Sequence, residues 1–125
     1  EELAAIWELQ HSYTQAVDAK DVPAMIEVNR NFHAAIAQAG KNRYYTDLFI
    51  RLLDEGRRLL RLYYSSYNDE LPKIYLQEHE VMLAAIEAQD IEAADRIAQA
   101  HAEQIVRQIQ SAMTADRRLN SDISL

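Results

Sequence analysis

Apolar residues recur along this chain every three or four positions, the spacing of one face of a helix. Leu3, Ile6, Tyr13 and Val17 form the first such stripe and predict a helix over residues 2–19, with Trp7 and His11 one turn apart on its flank. Asp21 is a good N-cap and Pro23 suits a first turn, so a second helix is expected over 22–39, stopped by Gly40 as the left-handed residue. Asn42 caps a third over 43–65, with Leu48, Leu52, Leu59 and Leu62 as its inward stripe, Glu55 on that stripe and Tyr45 and Tyr63 at its edges. Ser65 to Glu70 reads as a polar loop, after which Pro72 opens a fourth helix over 72–88 that buries Tyr75, Leu76, His79, Met82, Leu83 and Ile86. Asp90 caps a fifth over 91–115, where Ile97, His101, Ile105 and Ile109 follow one another at intervals of four. The tail from Asp116 to Leu125 is polar and is expected to fray. No repeat and no strand pattern interrupts this, and the expected architecture is an all-α antiparallel helical bundle.

Composition supports that picture and narrows the chemistry. A chain of 125 residues is one domain with room for a core, and only two glycines and two prolines break the helical pattern. The net charge of −7 argues against the chain gripping phosphate backbones by itself. Without cysteine it has neither disulfides nor thiolate ligands, which fits a reducing compartment, and no apolar run is long enough to span a bilayer. The chain starts at Glu1, as a fragment would.

The candidate chemistry lies in polar residues on apolar stripes. Asn29 and His33 are four apart and share a helix face with Ile26 and Ile36, while His79 and His101 are centred on the stripes of two later helices. A bundle sets such positions side by side in its interior. Each histidine has two readings, a hydrogen-bonded core residue or a metal ligand; three on three stripes favour convergence. Imidazole suits Zn²⁺ and Ni²⁺ and binds them when neutral. Arg51 and Arg58, seven apart, share one flank of the third helix's stripe and either snorkel, pair with acids or bind an anion, whereas Arg57 and Arg61 point outward. His11 reads as a surface histidine, and Trp7 packs either in the core or on something outside the chain.

These residues also carry a resemblance. Asn29-x-x-Phe32-His33, then Ala39-Gly40-Lys41-Asn42, then Glu78-His79-Glu80-x-x-x-Ala84-Ala85-Ile86-x-x-x-Asp90-x-Glu92-Ala93-Ala94, then His101, resemble the FCD domain. That domain is the C-terminal effector-binding part of FadR-subfamily GntR-type transcription regulators. Its metal-binding members carry Asp or Asn, a histidine four residues later and two more on later helices; the intervals here are 4, 46 and 22. The resemblance reaches to about residue 113 and departs in two respects: Asn29 stands where the family has an aspartate, and the family's first helix and preceding winged-helix DNA-binding domain are missing.

The resemblance implies one FCD-like domain over residues 1–125 of a cytoplasmic regulator, not an enzyme. It implies a divalent transition metal, Zn²⁺ or Ni²⁺, held by His33, His79, His101 and Asn29, with open positions for a small carboxylate effector paired to Arg58 or Arg51. It implies a homodimer, to which Trp7, Leu53 and Leu60 offer apolar surface off the main stripes, DNA contact only through the missing domain, and no membrane. The competing readings are a metal-free helical ligand-binding or interaction module and a three-histidine metalloenzyme. Against the enzyme, only Glu55 stands as a carboxylate on an inward stripe near a helix middle, and no nucleophile pairing is evident.

Overall fold

The structure is a computed structural model that describes the backbone of residues 1–123 and the side chains of residues 1–115. The described residues form six helices: α1 Glu2–Asp18, α2 Val22–Ala39, α3 Arg43–Glu55, α4 Arg57–Ser65, α5 Lys73–Glu87 and α6 Ile91–Ile123. No strand occurs among the described residues, and no helix there is long and apolar enough to cross a membrane. The caps act where the sequence places them. Asp21 accepts from the Ala24 N–H at 3.2 Å, Asn42 from Tyr45 at 3.1 Å and Asp90 from Ala93 at 3.1 Å, each satisfying one of the free donors of a helix start.

α1 and α2 fold back on each other through a turn in which Lys20 is left-handed at φ 55°. The Asp21 N–H reaches the Ala16 carbonyl at 3.0 Å and that of Lys20 reaches Val17 at 3.0 Å, the two bonds of a Schellman stop. α5 and α6 join in the same way: Gln89 is left-handed at φ 57°, and Asp90 bonds back to Ala85 at 3.0 Å. Short turns of this kind force antiparallel neighbours.

Two apolar clusters fill the bundle. The larger joins Tyr13, Ala16 and Val17 of α1, Val22, Met25 and Ile26 of α2, Tyr63 and Tyr64 of α4, Leu71, Leu76 of α5 and Ile109 of α6. The smaller is Ile6, Phe32 and Leu83, with Trp7 packed against it, so Trp7 belongs to the core. Leu60 packs on the larger cluster and Leu53 is half-buried.

Four expectations require correction. The helix expected over 43–65 is two helices, because Gly56 opens to φ −84° and ψ 2°. Its N–H still reaches the Leu52 carbonyl at 3.0 Å, so the break is a bend without loss of that bond. Second, most of the stripe read as inward points outward: Leu48, Leu52 and Leu59 are 57%, 56% and 49% exposed, and Tyr45 and Glu55 are exposed too, while Leu62 packs on the larger cluster and Tyr63 is buried in it. α3 instead meets the bundle through Thr46, whose hydroxyl donates to the Ala37 carbonyl at 3.1 Å, and through the flank of Phe49, Ile50 and Leu53. Third, Gly40 is right-handed at φ −72° and Lys41 takes the left-handed position at φ 61°. Fourth, α6 continues through the segment expected to fray, as far as Ile123; residues 124–125 lie outside the described residues.

Candidate metal centre

His33 comes from the middle of α2, His79 from α5 and His101 from α6, and all three meet where the two apolar clusters approach each other. His79 lies between them: its ring stacks on Phe32 at 4.2 Å between centroids and faces Tyr13 of the larger cluster at 5.0 Å. His33 stands edge-on to His79 at 4.9 Å and stacks on His101 at 5.4 Å, and His79 and His101 are 5.1 Å apart. His79 and His101 are buried; His33 keeps partial exposure and gives the cluster its open side.

One nitrogen from each ring lies within 4.8 Å of the others. Nitrogens bound to a common ion at about 2.0–2.1 Å stand roughly 3.4 Å apart, so small rotations of the rings would bring them to bonding distance. Asn29, one turn before His33, is 5% exposed and shares its helix face. The donor set, three imidazoles with no thiolate, is of the kind taken by Zn²⁺, Ni²⁺ and similar ions.

Burial favours the neutral form of two of the imidazoles, His33 and His79. The His33 ring is pushed down to about 3, first by desolvation and then by the neighbouring His101. His79 is lowered well below the ordinary value by desolvation, then by His33 and His101. Neutral imidazole is the form that binds metal. One atom stands out: His101 Nε2 is buried and has no hydrogen-bond partner among the described residues. A buried acceptor without a partner costs about 1–3 kcal/mol, and a bound cation would remove that cost.

Two further residues of the site were not singled out in the sequence. Gln10 Oε1 lies 2.8 Å from His79 Nδ1, and Glu78 Oε1 lies 2.9 Å from His101 Nδ1. Both had a signal. Gln10 sits four residues after Ile6 and three before Tyr13, so it completes the buried stripe of α1 as its one polar member. Glu78 directly precedes His79, which turns it off the apolar face of α5 and toward α6.

Neither candidate arginine bonds to one of the three histidines among the described residues. Arg51 is exposed and pairs with Glu55 at 3.7 Å. Arg58 lines a groove of about 300 Å³ with Pro23, Ile26, Arg57 and Arg61, to which none of the three histidines contributes. Arg57 is not simply solvated: it pairs with Glu27 at 2.9 Å and Asp54 at 3.6 Å. His11 is a surface residue beside Gln15.

A family model described as the FCD domain matches residues 1–104, a span that takes in all three histidines, Asn29, Gln10 and Glu78. No curated protein and no solved structure gives a significant match.

Proposed function

We propose a function from one premise: the chain belongs to the FCD domain family, the ligand-sensing domain of GntR-type transcription regulators. Our reading is that it binds a divalent transition metal, Zn²⁺ or Ni²⁺, through His33, His79 and His101, with Asn29 as a weaker fourth ligand, and that a small organic acid is its effector. The observation that carries this is the meeting of three buried or half-buried imidazoles from three helices, with one buried ring nitrogen left unpartnered. When bound, the metal supplies Lewis acidity that holds a carboxylate oxygen.

The chain's own residues set the conditions for that capture. Phe32 and Tyr13 wall off one side of His79 from water, so charge attraction inside the site is stronger than at the surface. The partial exposure of His33 leaves a side from which the acid can arrive. Its distal end is assigned to Arg58, or second to Arg51, and titration of Arg58→Ala and Arg51→Ala decides between them. In the full regulator, effector binding shifts the bundle between two states and so alters DNA binding by a winged-helix domain; that coupling requires the acid to prefer one state. The regulator works as a homodimer in the cytoplasm and is no enzyme.

Elemental analysis of purified protein, followed by a thermal-shift screen of small organic acids with and without metal, tests this reading. Metal uptake followed by an acid-dependent rise in melting temperature is the expected result. Protein that stays metal-free when Zn²⁺ and Ni²⁺ are supplied would leave a metal-free ligand-binding domain in its place.

A further inference from the structure

The tautomers of two of the three histidines are settled by their neighbours. The Gln10 amide Nε2 donates to the Leu76 carbonyl at 3.2 Å, and a backbone carbonyl can only accept. The amide nitrogen of Gln10 therefore faces Leu76 and its oxygen faces His79, 2.8 Å from Nδ1. An amide oxygen also only accepts, so the proton of His79 is on Nδ1 and the lone pair is on Nε2. His101 follows the same logic with a different partner: its Nδ1 lies 2.9 Å from a carboxylate oxygen of Glu78, which only accepts, so a proton sits on Nδ1 and Nε2 is the buried atom without a partner among the described residues. Gln10 is 2% exposed and the Glu78 side chain 25%, so neither partner swings freely in water.

The two anchors differ in charge. His79 is held by a neutral amide and His101 by a carboxylate. Three imidazoles and the Asn29 amide bring no negative charge to a dication, and Glu78 is the one acid bonded to any of the three rings among the described residues. We propose that Gln10 and Glu78 are positioning residues that lock His79 and His101 with Nε2 free, and that Glu78 supplies through His101 the negative charge that Asn29 does not. The proposal rests on the metal reading above. α5 then serves the site twice, giving one ligand in His79 and the anchor of another in Glu78. Carboxylate or amide partners of this kind raise ligand basicity, and their loss typically lowers metal affinity about 10–100-fold.

Two measurements test it. Long-range ¹⁵N–¹H NMR on the metal-free protein reads the tautomer of each ring. Both His79 and His101 should carry the proton on Nδ1. Glu78→Ala should move the His101 proton toward Nε2 and leave His79 unchanged, while Gln10→Leu should do the reverse. Zn²⁺ titration against a competing chelator then reads the charge. Glu78→Gln keeps an acceptor in place, so the tautomer should persist while affinity falls about 10–100-fold. Asn29→Asp should tighten binding more in the Glu78→Gln background than in the parent, a dependence on background that a purely structural role for Glu78 would not produce. Circular dichroism checks that each variant is folded, and Glu78→Leu, which also removes the acceptor, stands in if Glu78→Ala is not.

A His101 proton found on Nε2 in the parent, or tautomers indifferent to both anchor variants, overturns the lock. Affinity of Glu78→Gln within about threefold of the parent overturns the charge role. A parent that takes up no Zn²⁺ overturns the metal reading together with the charge role, and the NMR result on metal-free protein decides the lock by itself.

Discussion

At the scale of single residues, the centre is set by burial acting on imidazole. Depressed proton affinity of His33 and His79 ties metal-free stability to pH, and the sign follows from proton counts. Below about 6.5 the unfolded chain protonates both histidines, while folded His33 stays neutral to about 3 and folded His79 is lowered also. The unfolded state therefore binds more protons in that window, so stability rises with pH there and is lost as pH falls below about 6.5, by up to about 1.4 kcal/mol per pH unit for each histidine. Urea unfolding of metal-free protein between pH 7.5 and 5 should show this slope, and His33→Gln should flatten it; a slope unchanged by His33→Gln would mean other groups carry the effect. Metal reverses part of that cost. Free Zn²⁺ at about 1,000 times its dissociation constant should add roughly 4 kcal/mol to the folded state. His79→Ala should abolish that gain, His11→Ala should leave it intact, and Asn29→Asp should tighten binding, all read by thermal shift. The convergence of the histidines was legible because each occupies the middle of an apolar stripe. Their anchors were not, since stripe analysis assigns a face to a residue and cannot say which polar group on one helix meets which on another; Gln10 and His79 are 69 positions apart.

At the scale of elements, local signals located helix starts well and helix stops less well. Starts depend on a side chain bonding its own next turn, and Asp21, Asn42 and Asp90 all do so. Asp21→Ala should cost about 1 kcal/mol in denaturant unfolding, the usual worth of a cap. Stops depend on which residue adopts positive φ, and here Lys20, Lys41 and Gln89 do so where glycine would be easier. Lys20 and Lys41 make ion pairs from that position, with Glu70 at 2.7 Å and Glu2 at 2.6 Å, so their replacement mixes two effects. Gln89 has no such pair among the described residues and offers the cleaner test. The left-handed backbone costs an ordinary residue roughly 1–2 kcal/mol, part of which glycine gives back through the entropy of its unfolded chain. Gln89→Gly is expected to stabilise the domain by about 0.5–1 kcal/mol, and a loss of stability would mean that the Gln89 side chain holds the α5–α6 corner. Gly56 shows a different limit. Periodicity runs through it unbroken, and only tertiary packing converts one glycine in a helix into the bend between α3 and α4.

At the scale of the whole molecule, the stripe on α3 and α4 is the place where sequence logic and the single chain part. Tyr45, Leu48, Leu52 and Leu59 recur at intervals of three, four and seven, as a buried face does, yet each is roughly half or more exposed. The pattern was assigned to the chain's own core, which holds at Leu62 and fails at Leu48, Leu52 and Leu59, because periodicity does not say what covers a face. A contiguous apolar stripe of this kind on one monomer marks an interaction surface. Under the homodimer proposed above, a second copy would cover it, since a two-fold interface needs one patch that complements itself. Burying a leucine contributes about 1.5–3 kcal/mol, and four large side chains per copy are enough to drive association. Leu52→Glu should therefore weaken the dimer by at least about 100-fold, close to 2.7 kcal/mol, by desolvating an unpaired carboxylate at its centre. Ile74 is more exposed than Leu52 and lies at the start of α5, so Ile74→Glu should leave association unchanged. Light scattering across a concentration series, with circular dichroism to confirm intact helices, separates the outcomes. A parent that is monomeric at high concentration argues against the homodimer. A dimer indifferent to Leu52→Glu places the interface elsewhere and leaves the stripe for a different partner. Loss of the dimer in Leu52→Glu alone identifies α3 and α4 as the surface through which two sensing domains meet.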